Sequence, residues 1–428
     1  MLVCAVFLNY YTVKKRKVIK IFNYNDAVTH IHSLGNFSRP AGLERITELL
    51  RRLGNPQNKF RAIHIAGTNG KGSVSAMLAK IFQTAGYKTG LYISPYIIDF
   101  RERAQINGKF IPQDAVARLS QRIIDAGTDV SEFEFITAMA FLWFAESGCD
   151  VVIAETGLGG KLDATNTLSN VAAAVITKIG LDHMGLLGNS VEEIATEKCG
   201  IIKGFPAIVS ANQSRAVYEV VKKFSNSPVI PDVSRLKIIE SDTFGNTFIY
   251  KERKYTLSLA GSYQIENALT VIETVLNCGF NIPYSAVEYA LKNTFFPARC
   301  EVICRDPLIL LDGAHNADGA AALSRIMEKF SGKIIAVIGV MRDKDYKTVL
   351  KYTLKHCKAA VAVGVEGMPR SLGAAELKQA AEIYCPCVTA SDYGDAVKKA
   401  RRLSAGEPVF VFGSLYLASG IREKLKKF

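Results

Sequence analysis

The sequence predicts an α/β protein: a phosphate-loop, three-layer domain on a mainly parallel sheet, followed by a smaller Rossmann-like α/β domain. Three observations predict it. Short β-branched apolar runs alternate with segments of helical period along the 428 residues, the pattern of strand–helix–strand crossovers. A glycine-rich turn joins the first clear strand to the first clear helix. After Phe296-Pro297 the alternation starts again.

Element by element, the first strand is Arg61–Ala66, and the helix after the turn carries Val74, Met77, Leu78, Ile81 and Phe82 on one face. A strand over Thr89–Ile93 follows, then helices around 113–126 and 132–147. Apolar strands are expected at Asp150–Glu155 and Val171–Thr177. Ser190 and Glu193 form a capping-box pair that opens a helix over 190–199, and Gly200 closes it. Residues 236–259 alternate like short antiparallel strands, and helices follow near 263–278 and 284–293. In the second unit, strand Leu308–Leu311 leads into a helix near 317–330. Strands at Ile334–Ile338, Ala359–Val363 and Val409–Phe412 alternate with further helices. The expected organisation is an extension over 1–22, a first domain over 23–296 and a second over 297–428.

Composition bounds the rest. Apolar residues are 49% and charged residues 22% of the chain, which is globular usage and excludes a mostly disordered protein. No apolar run reaches ~18 residues, so no membrane partner is expected. The net charge is +13, and five of those charges fall in Lys14, Lys15, Arg16, Lys17 and Lys20. No basic stripe interleaved with aromatics stands out, so nucleic acid is not expected as a partner. A mild positive excess suits a small anionic substrate. The nine cysteines lack a CxxC pair or zinc spacing and read as reduced thiols in a cytoplasmic protein. MLVCAVFL at the start has no preceding cation and no cleavage site, so it does not read as a signal peptide.

Five clusters carry chemistry. Gly67-Thr68-Asn69-Gly70-Lys71-Gly72-Ser73 lies between strand and helix. Glycines there let backbone N–H groups face an anion, the helix N-terminus adds positive potential, and Lys71 adds a full charge. Glu155 ends the apolar strand Val151-Val152-Ile153-Ala154 and is followed by Thr156-Gly157-Leu158-Gly159-Gly160-Lys161-Leu162-Asp163. A strand-end acid beside a phosphate loop is placed to hold Mg²⁺. Leu181-Asp182-His183 follows the next strand, and a ligand or acid–base role for His183 is open. Glu197-Lys198 closes a helix, where a lysine also simply suits the dipole. Asp312 and His315, in Leu311-Asp312-Gly313-Ala314-His315-Asn316, stand at a strand's carboxyl end, where α/β folds bind ligands.

Together these residues resemble the folylpolyglutamate synthase/dihydrofolate synthase family of the ATP-dependent Mur ligase superfamily. The likeness runs through GLERITELLRRLGNP (42–56), HIAGTNGKGSV (64–74), YISPYIIDFRERAQING (92–108) and ETGLGGKLDATN (155–166). It continues through GLDHMGLLGNSVEEIATEKCGIIK (180–203), GSYQIENA (261–268), PARCEV (297–302), LDGAHN (311–316), GVMRDKD (339–345) and FGSLYLASGIR (412–422). Three motifs depart from the family: Ser94-Pro95-Tyr96 for SPH, Pro297-Ala298-Arg299 for PGR, and His315-Asn316-Ala317 for HNP. Ser38-Arg39-Pro40-Ala41 stands where bifunctional members carry an acid-containing segment that seats dihydropteroate.

The resemblance implies that ATP phosphorylates a folate or dihydropteroate carboxylate and that the amine of L-glutamate attacks the acyl phosphate. By position, Gly67 to Ser73 would cradle the phosphates of ATP, joined by Asn267, Arg299, Asp312 and His315. Ser94, Glu155 and His183 would be Mg²⁺ ligands, with Lys198 as a carbamate. Lys71, Glu155, His183 and Lys198 would be the catalytic set. Phe133, Glu134, Leu162, Asp163 and Ala164 would line the folate pocket. A monomer is the implied state. A cell-wall Mur ligase is the neighbouring alternative, but the stretch from Tyr24 to Gly67 is too short for its UDP-binding domain. A guanine-nucleotide switch should carry NKxD, which the sequence lacks.

Overall fold

The computed structural model describes residues 20–35 and 41–426. The basic N-terminal cluster up to Lys17 and the Ser38-Arg39-Pro40 segment lie outside the described residues. Three sheets organise the chain. The first has seven strands in the order β4-β3-β2-β5-β1-β6-β7: β1 (Arg61–Ala66), β2 (Thr89–Tyr92), β3 (Ala104–Ile106), β4 (Lys109–Phe110), β5 (Val151–Glu155), β6 (Val171–Ile176) and β7 (Ala207–Val209). Strands β2, β5, β1, β6 and β7 run parallel, and β3–β4 is an antiparallel hairpin on the edge of β2. The central β1 has Ile65 opposite Glu155 of β5. The carboxyl ends of β1, β5 and β6 therefore open side by side.

Alternate residues of β1 serve two cores. Ala62 joins the layer of helices Tyr24–Ser33, Glu44–Arg52, Gln113–Ala126 and Glu132–Glu146. Ile63 and Ile65 join the opposite layer, with helices Lys71–Thr84, Ser262–Asn277 and Tyr284–Asn293. Both faces of a parallel sheet need cover, so its strands are apolar throughout. The alternation over 236–259 is the second sheet: β8 (Leu236–Ser241), β9 (Asn246–Tyr250) and β10 (Arg253–Leu257), antiparallel in the order β10-β9-β8.

The third sheet orders β11-β12-β16-β13-β14-β15: β11 (Glu301–Arg305), β12 (Leu308–Leu311), β13 (Ile334–Ile338), β14 (Cys357–Val363), β15 (Cys387–Ala390) and β16 (Val409–Phe412). All are parallel except the edge strand β11. The sequence reading lacked β11 and β15, since their half-exposed residues carry no apolar run. Helices Ala317–Met327, Tyr346–Thr353 and Ala374–Ala381 cover one face, and Tyr393–Ser404 and Leu415–Leu425 the other. Ile97, from the loop after β2, is buried in that last layer. The two large sheets are thereby joined through side chains, with their strand ends meeting at one seam. Among the described residues no helix is long and apolar enough to cross a membrane, and the described cysteines are unpaired.

One local expectation needs a different reason. Gly200 does follow the helix Val191–Cys199, but at φ −58 it is not a left-handed cap. It is small because the loop carrying Lys161 lies on it: a Cβ there would meet the Lys161 Cβ at 2.5 Å.

Candidate active site

The phosphate loop is built as its sequence suggests. Gly70 caps the helix Lys71–Thr84 at φ +91, and a Cβ there would meet Asn267 Oδ1 at 2.4 Å. Both the backbone angle and the close neighbour require glycine. Thr68 and Asn69 donate their N–H groups to the Lys178 carbonyl, at 2.8 and 3.1 Å. Lys71 folds back to donate to Gly67 O at 3.0 Å, and Lys198 donates to the same carbonyl at 2.8 Å. Two cations from different helices thus converge on one loop oxygen.

Lys198 reaches that point because its helix is clamped against the loop after β5. Lys161 donates its N–H to Glu197 O at 2.7 Å, and a Cβ on Gly160 would meet Lys198 O at 2.7 Å. Burial, and then the charge of Lys71, lower the Lys198 amine to about 7. Its exposure is 5%. The structure thereby supplies a physical reason, beyond the resemblance, to read Lys198 as more than a helix-end cation.

Glu155 is buried beside Lys71. Burial raises its carboxyl to about 7, against the opposing pull of Lys71, a backbone hydrogen bond from Ser94 and the charge of Arg299. Ser94 and Glu155 are therefore brought together. His183, half-exposed, borders the same small cavity as Lys71, Lys198 and Gly67. It sits at φ +51, and burial lowers its imidazole while Asp182 opposes the fall. Among the described residues no three His, Cys, Asp or Glu side chains gather as a ready metal cluster.

The third sheet contributes from its strand ends. Asp312 is buried and committed: Oδ2 accepts the Cys300 N–H and Oδ1 the Ala314 N–H, each at 2.8 Å. It ties the Arg299 turn to the His315 turn, with the Arg299 charge acting on it. Ala298 in that turn holds φ +54, a left-handed position that favours glycine. His315 shares its Nδ1 with Gly313 O at 2.9 Å, and its Nε2 lies 3.9 Å from Asp182. Asn267 donates to Gln264 at 2.9 Å, and Gln264 donates to Ser73 at 3.1 Å.

The seam also holds groups that sequence reasoning did not select. Asp182 accepts from Lys344 at 2.7 Å across the two large sheets. Burial works against its ionised form, but His315, Lys344 and His183 outweigh that and hold the carboxyl well below its ordinary range. Asn69 of the phosphate loop accepts from Asn316 at 3.1 Å. Asp182 and Lys344 both fall inside quoted motifs, but only spatial pairing reveals them.

The residues expected around the folate pocket divide. The Phe133 ring closes on Gly157, where a Cβ would meet it at 2.4 Å, and lies 6.0 Å from the Tyr92 ring. Leu162 is exposed and Ala164 buried. Glu134 is a capping-box acid: it accepts the Ser131 N–H at 2.7 Å and pairs with Arg45 at 3.2 Å. Asp163 is saturated by the N–H groups of Gly157, Leu158 and Thr165 and by the Thr165 hydroxyl, at 2.5–3.0 Å.

Fold and site define a Mur-type ligase. The Mur ligase middle domain matches residues 65–275, and the Mur ligase glutamate ligase domain matches residues 298–415. The dihydrofolate synthase/folylpolyglutamate synthase of Bacillus subtilis (strain 168) is 36% identical, covering 94% of this chain and 99% of its own. The folylpolyglutamate synthase of Lacticaseibacillus casei is 33% identical over 94% of this chain and 99% of its own. Among solved structures, Escherichia coli FolC in complex with DHPP and ADP superposes with a TM-score of 0.83. It has 27% identity and covers 95% of this chain and 98% of its own. Folylpolyglutamate synthase of Mycobacterium tuberculosis, complexed with ADP and AMPPCP, gives 0.83 at 30% identity, with 94% and 99% covered. The chain belongs to the folylpolyglutamate synthase/dihydrofolate synthase family of ATP-dependent ligases.

Proposed function

We propose that this chain joins L-glutamate to the carboxylate of a folate, or of dihydropteroate, through an acyl phosphate made from ATP. One observation carries the reading. A phosphate loop with two converging lysines, Lys71 and Lys198, faces a buried acid, Glu155, and the Arg299 turn of the third sheet closes on it. That is a place for a triphosphate and a second anion to meet.

A carboxylate is a poor electrophile, and phosphorylation turns one of its oxygens into a leaving group. The acceptor oxygen attacks the γ-phosphorus and the bond to ADP breaks. The glutamate amine then attacks the acyl carbon, loses a proton, and phosphate leaves. Gly67, Thr68, Asn69, Gly70, Gly72 and Ser73 offer backbone and side-chain donors to the phosphates. Lys71 and Arg299 neutralise charge as it shifts. Asn267, Asp312 and His315 frame the nucleotide, with Asp312 acting by fixing the two turns around Arg299. Phe133, Leu162 and Ala164 wall the acceptor, and Glu134 and Asp163 hold the shape of that wall.

The donor set fits a hard divalent cation, because Glu155 is a buried carboxylate with no ion pair within 4 Å among the described residues. Magnesium held by Ser94, Glu155, His183 and, as its carbamate, Lys198 would supply charge neutralisation on the transferring phosphoryl. The near-neutral Lys198 amine has the lone pair that reaction with carbon dioxide needs. We assign 23–296 and 297–428 as the two domains, and expect a cytoplasmic monomer. The deciding assay is ADP release. It should require both glutamate and a reduced folate or dihydropteroate, with product mass raised by one glutamyl residue. ADP release indifferent to either substrate rules the reading out.

A further inference from the structure

Arg103 carries a charge that the chemistry above does not use. It is the residue before β3 and is 8% exposed. Its Nε is fully buried with no hydrogen-bond partner, and its guanidinium lies 5.2 Å from the centre of the Tyr96 ring. The acids around it are already committed. Glu102 accepts the N–H groups of Ile97, Ile98 and Asp99 at 2.8, 2.8 and 2.9 Å. Glu132 is 3.1 Å from His32, and Glu134 is held by Arg45 and Ser131. A buried guanidinium without a counter-ion is costly, and native proteins rarely leave one without cause.

Its position says what the missing anion is. The Arg103 carbonyl accepts the Ile93 N–H at 3.1 Å, so it stands beside the residue that precedes Ser94. Its charge acts on Tyr92 and Tyr96, and the Tyr416 hydroxyl of the last helix also acts on Tyr96. The cations acting foremost on Glu155, at the reacting centre, are instead Lys71 and Arg299. Arg103 therefore belongs to the aromatic wall with Tyr92, Tyr96 and Phe133, set back from the phosphate loop. On the proposed reading, an acceptor that already bears a glutamyl tail brings two carboxylates. One must reach the loop, and the other is left to be matched.

We propose that Arg103 is the binding residue for the free, non-reacting carboxylate of the acceptor's glutamyl tail. The planar guanidinium suits two-point recognition of a carboxylate, and the Tyr96 face keeps that plane oriented. The residue then discriminates between glutamylated acceptors and the single-carboxylate pteroate type.

The test is equilibrium binding to the ADP-loaded full chain, with monoglutamyl tetrahydrofolate and dihydropteroate as probes, for the wild type, Arg103→Gln and Arg103→Lys. The wild type should favour the glutamylated probe. Arg103→Gln should weaken that probe by about 10–100-fold, the loss of a charged hydrogen-bond pair, and change dihydropteroate by less than about threefold. Arg103→Lys should recover part of the loss. Without substrates the Tm of Arg103→Gln should fall by no more than a few degrees, because only the packing on Tyr96 is lost and no ion pair is broken. Equal weakening of both probes, or no weakening, overturns the proposal. ADP release by the wild type is read separately. Its absence counts against the ligase reading, whereas the binding ratio alone judges Arg103.

Discussion

Two polar clusters lie within a few residues of each other at the end of β5, and they are built on opposite plans. In one, Asp163, Thr165 and His64 form a closed chain: the Thr165 hydroxyl donates to Asp163 at 2.5 Å and so must accept from His64 Nε2 at 2.8 Å. Asp163 and His64 are buried, and the donors are spent inside the protein. In the other, Lys71, Lys198, Glu155 and Arg299 bring three cations and one acid together, and their partners are backbone carbonyls or one another's fields. A closed network stabilises the fold. An open one, with its Glu155 raised to about 7 and Lys198 lowered to about 7, is held in readiness for ligands at a cost in stability. The two should therefore respond to substitution in opposite ways.

The sharpest break of that contrast is Lys71→Met. It removes the loop's own charge and should lower kcat by about 10²–10³-fold, the size expected for one pre-placed electrostatic donor. The Tm should stay within a degree or two of the wild type, because its present partners are two loop carbonyls. Asp163→Asn should do the reverse in kind. It leaves three backbone donors and a hydroxyl facing a weaker acceptor in a buried loop, costing about 2–3 kcal/mol, read as a fall in Tm of several degrees in substrate-free protein. If Lys71→Met unfolds the chain as readily as Asp163→Asn does, the distinction between the clusters is wrong.

How legible these clusters were follows from the same distinction. The phosphate loop and Glu155 could be read because glycine spacing and a strand-end acid are local signals. The closed network could not: Asp163 was read through resemblance as a pocket residue, and its four donors come from turns whose geometry no periodicity announces. Lys198 was singled out only by resemblance, since its local sequence reads as a helix-end lysine; Gly160 and Gly200 show how two backbones touch to bring it to the loop. Asp182 and Lys344 are 162 positions apart, and the unpaired state of Arg103 is evident only after every neighbouring acid has been assigned. Most of the parallel strands were legible from their apolar runs; β11 and β15 were missed because half-exposed edge strands lack them, and β3, β4 and β7 because two or three residues make no run.

The pH dependence of stability sharpens the comparison further. Burial, with a smaller push from Lys203, lowers the His64 imidazole to about 3. The neutral ring is the one the fold accepts. The stabilisation is fully present above the unfolded value near 6.5 and is lost as the pH falls from there towards 3, where the unfolded chain takes up a proton that the folded one refuses. This group alone contributes a slope of at most about 1.4 kcal/mol per pH unit. Urea midpoints measured from pH 6.5 down to 4 should fall more gently in His64→Leu than in the wild type, and parallel curves would remove His64 from the account.

The smallest expected effect lies on the seam between the two large sheets, at Lys344. Its pair with Asp182 is partly solvated at the lysine end, with 19% of that side chain exposed, so its worth is about 1 kcal/mol. It belongs to neither cluster, since its partner is a partly buried acid that comes from the other large sheet. Lys344→Met should leave ATP binding to the free protein unchanged, because the phosphate loop keeps its own contacts. It should raise the KM for glutamate by about fivefold, the equivalent of that 1 kcal/mol, and this effect should shrink as salt is added to the wild type. A change confined to Tm, with KM and kcat untouched, would make the pair a closed contact like Asp163, and the open plan would then stop at the phosphate loop instead of extending across the seam.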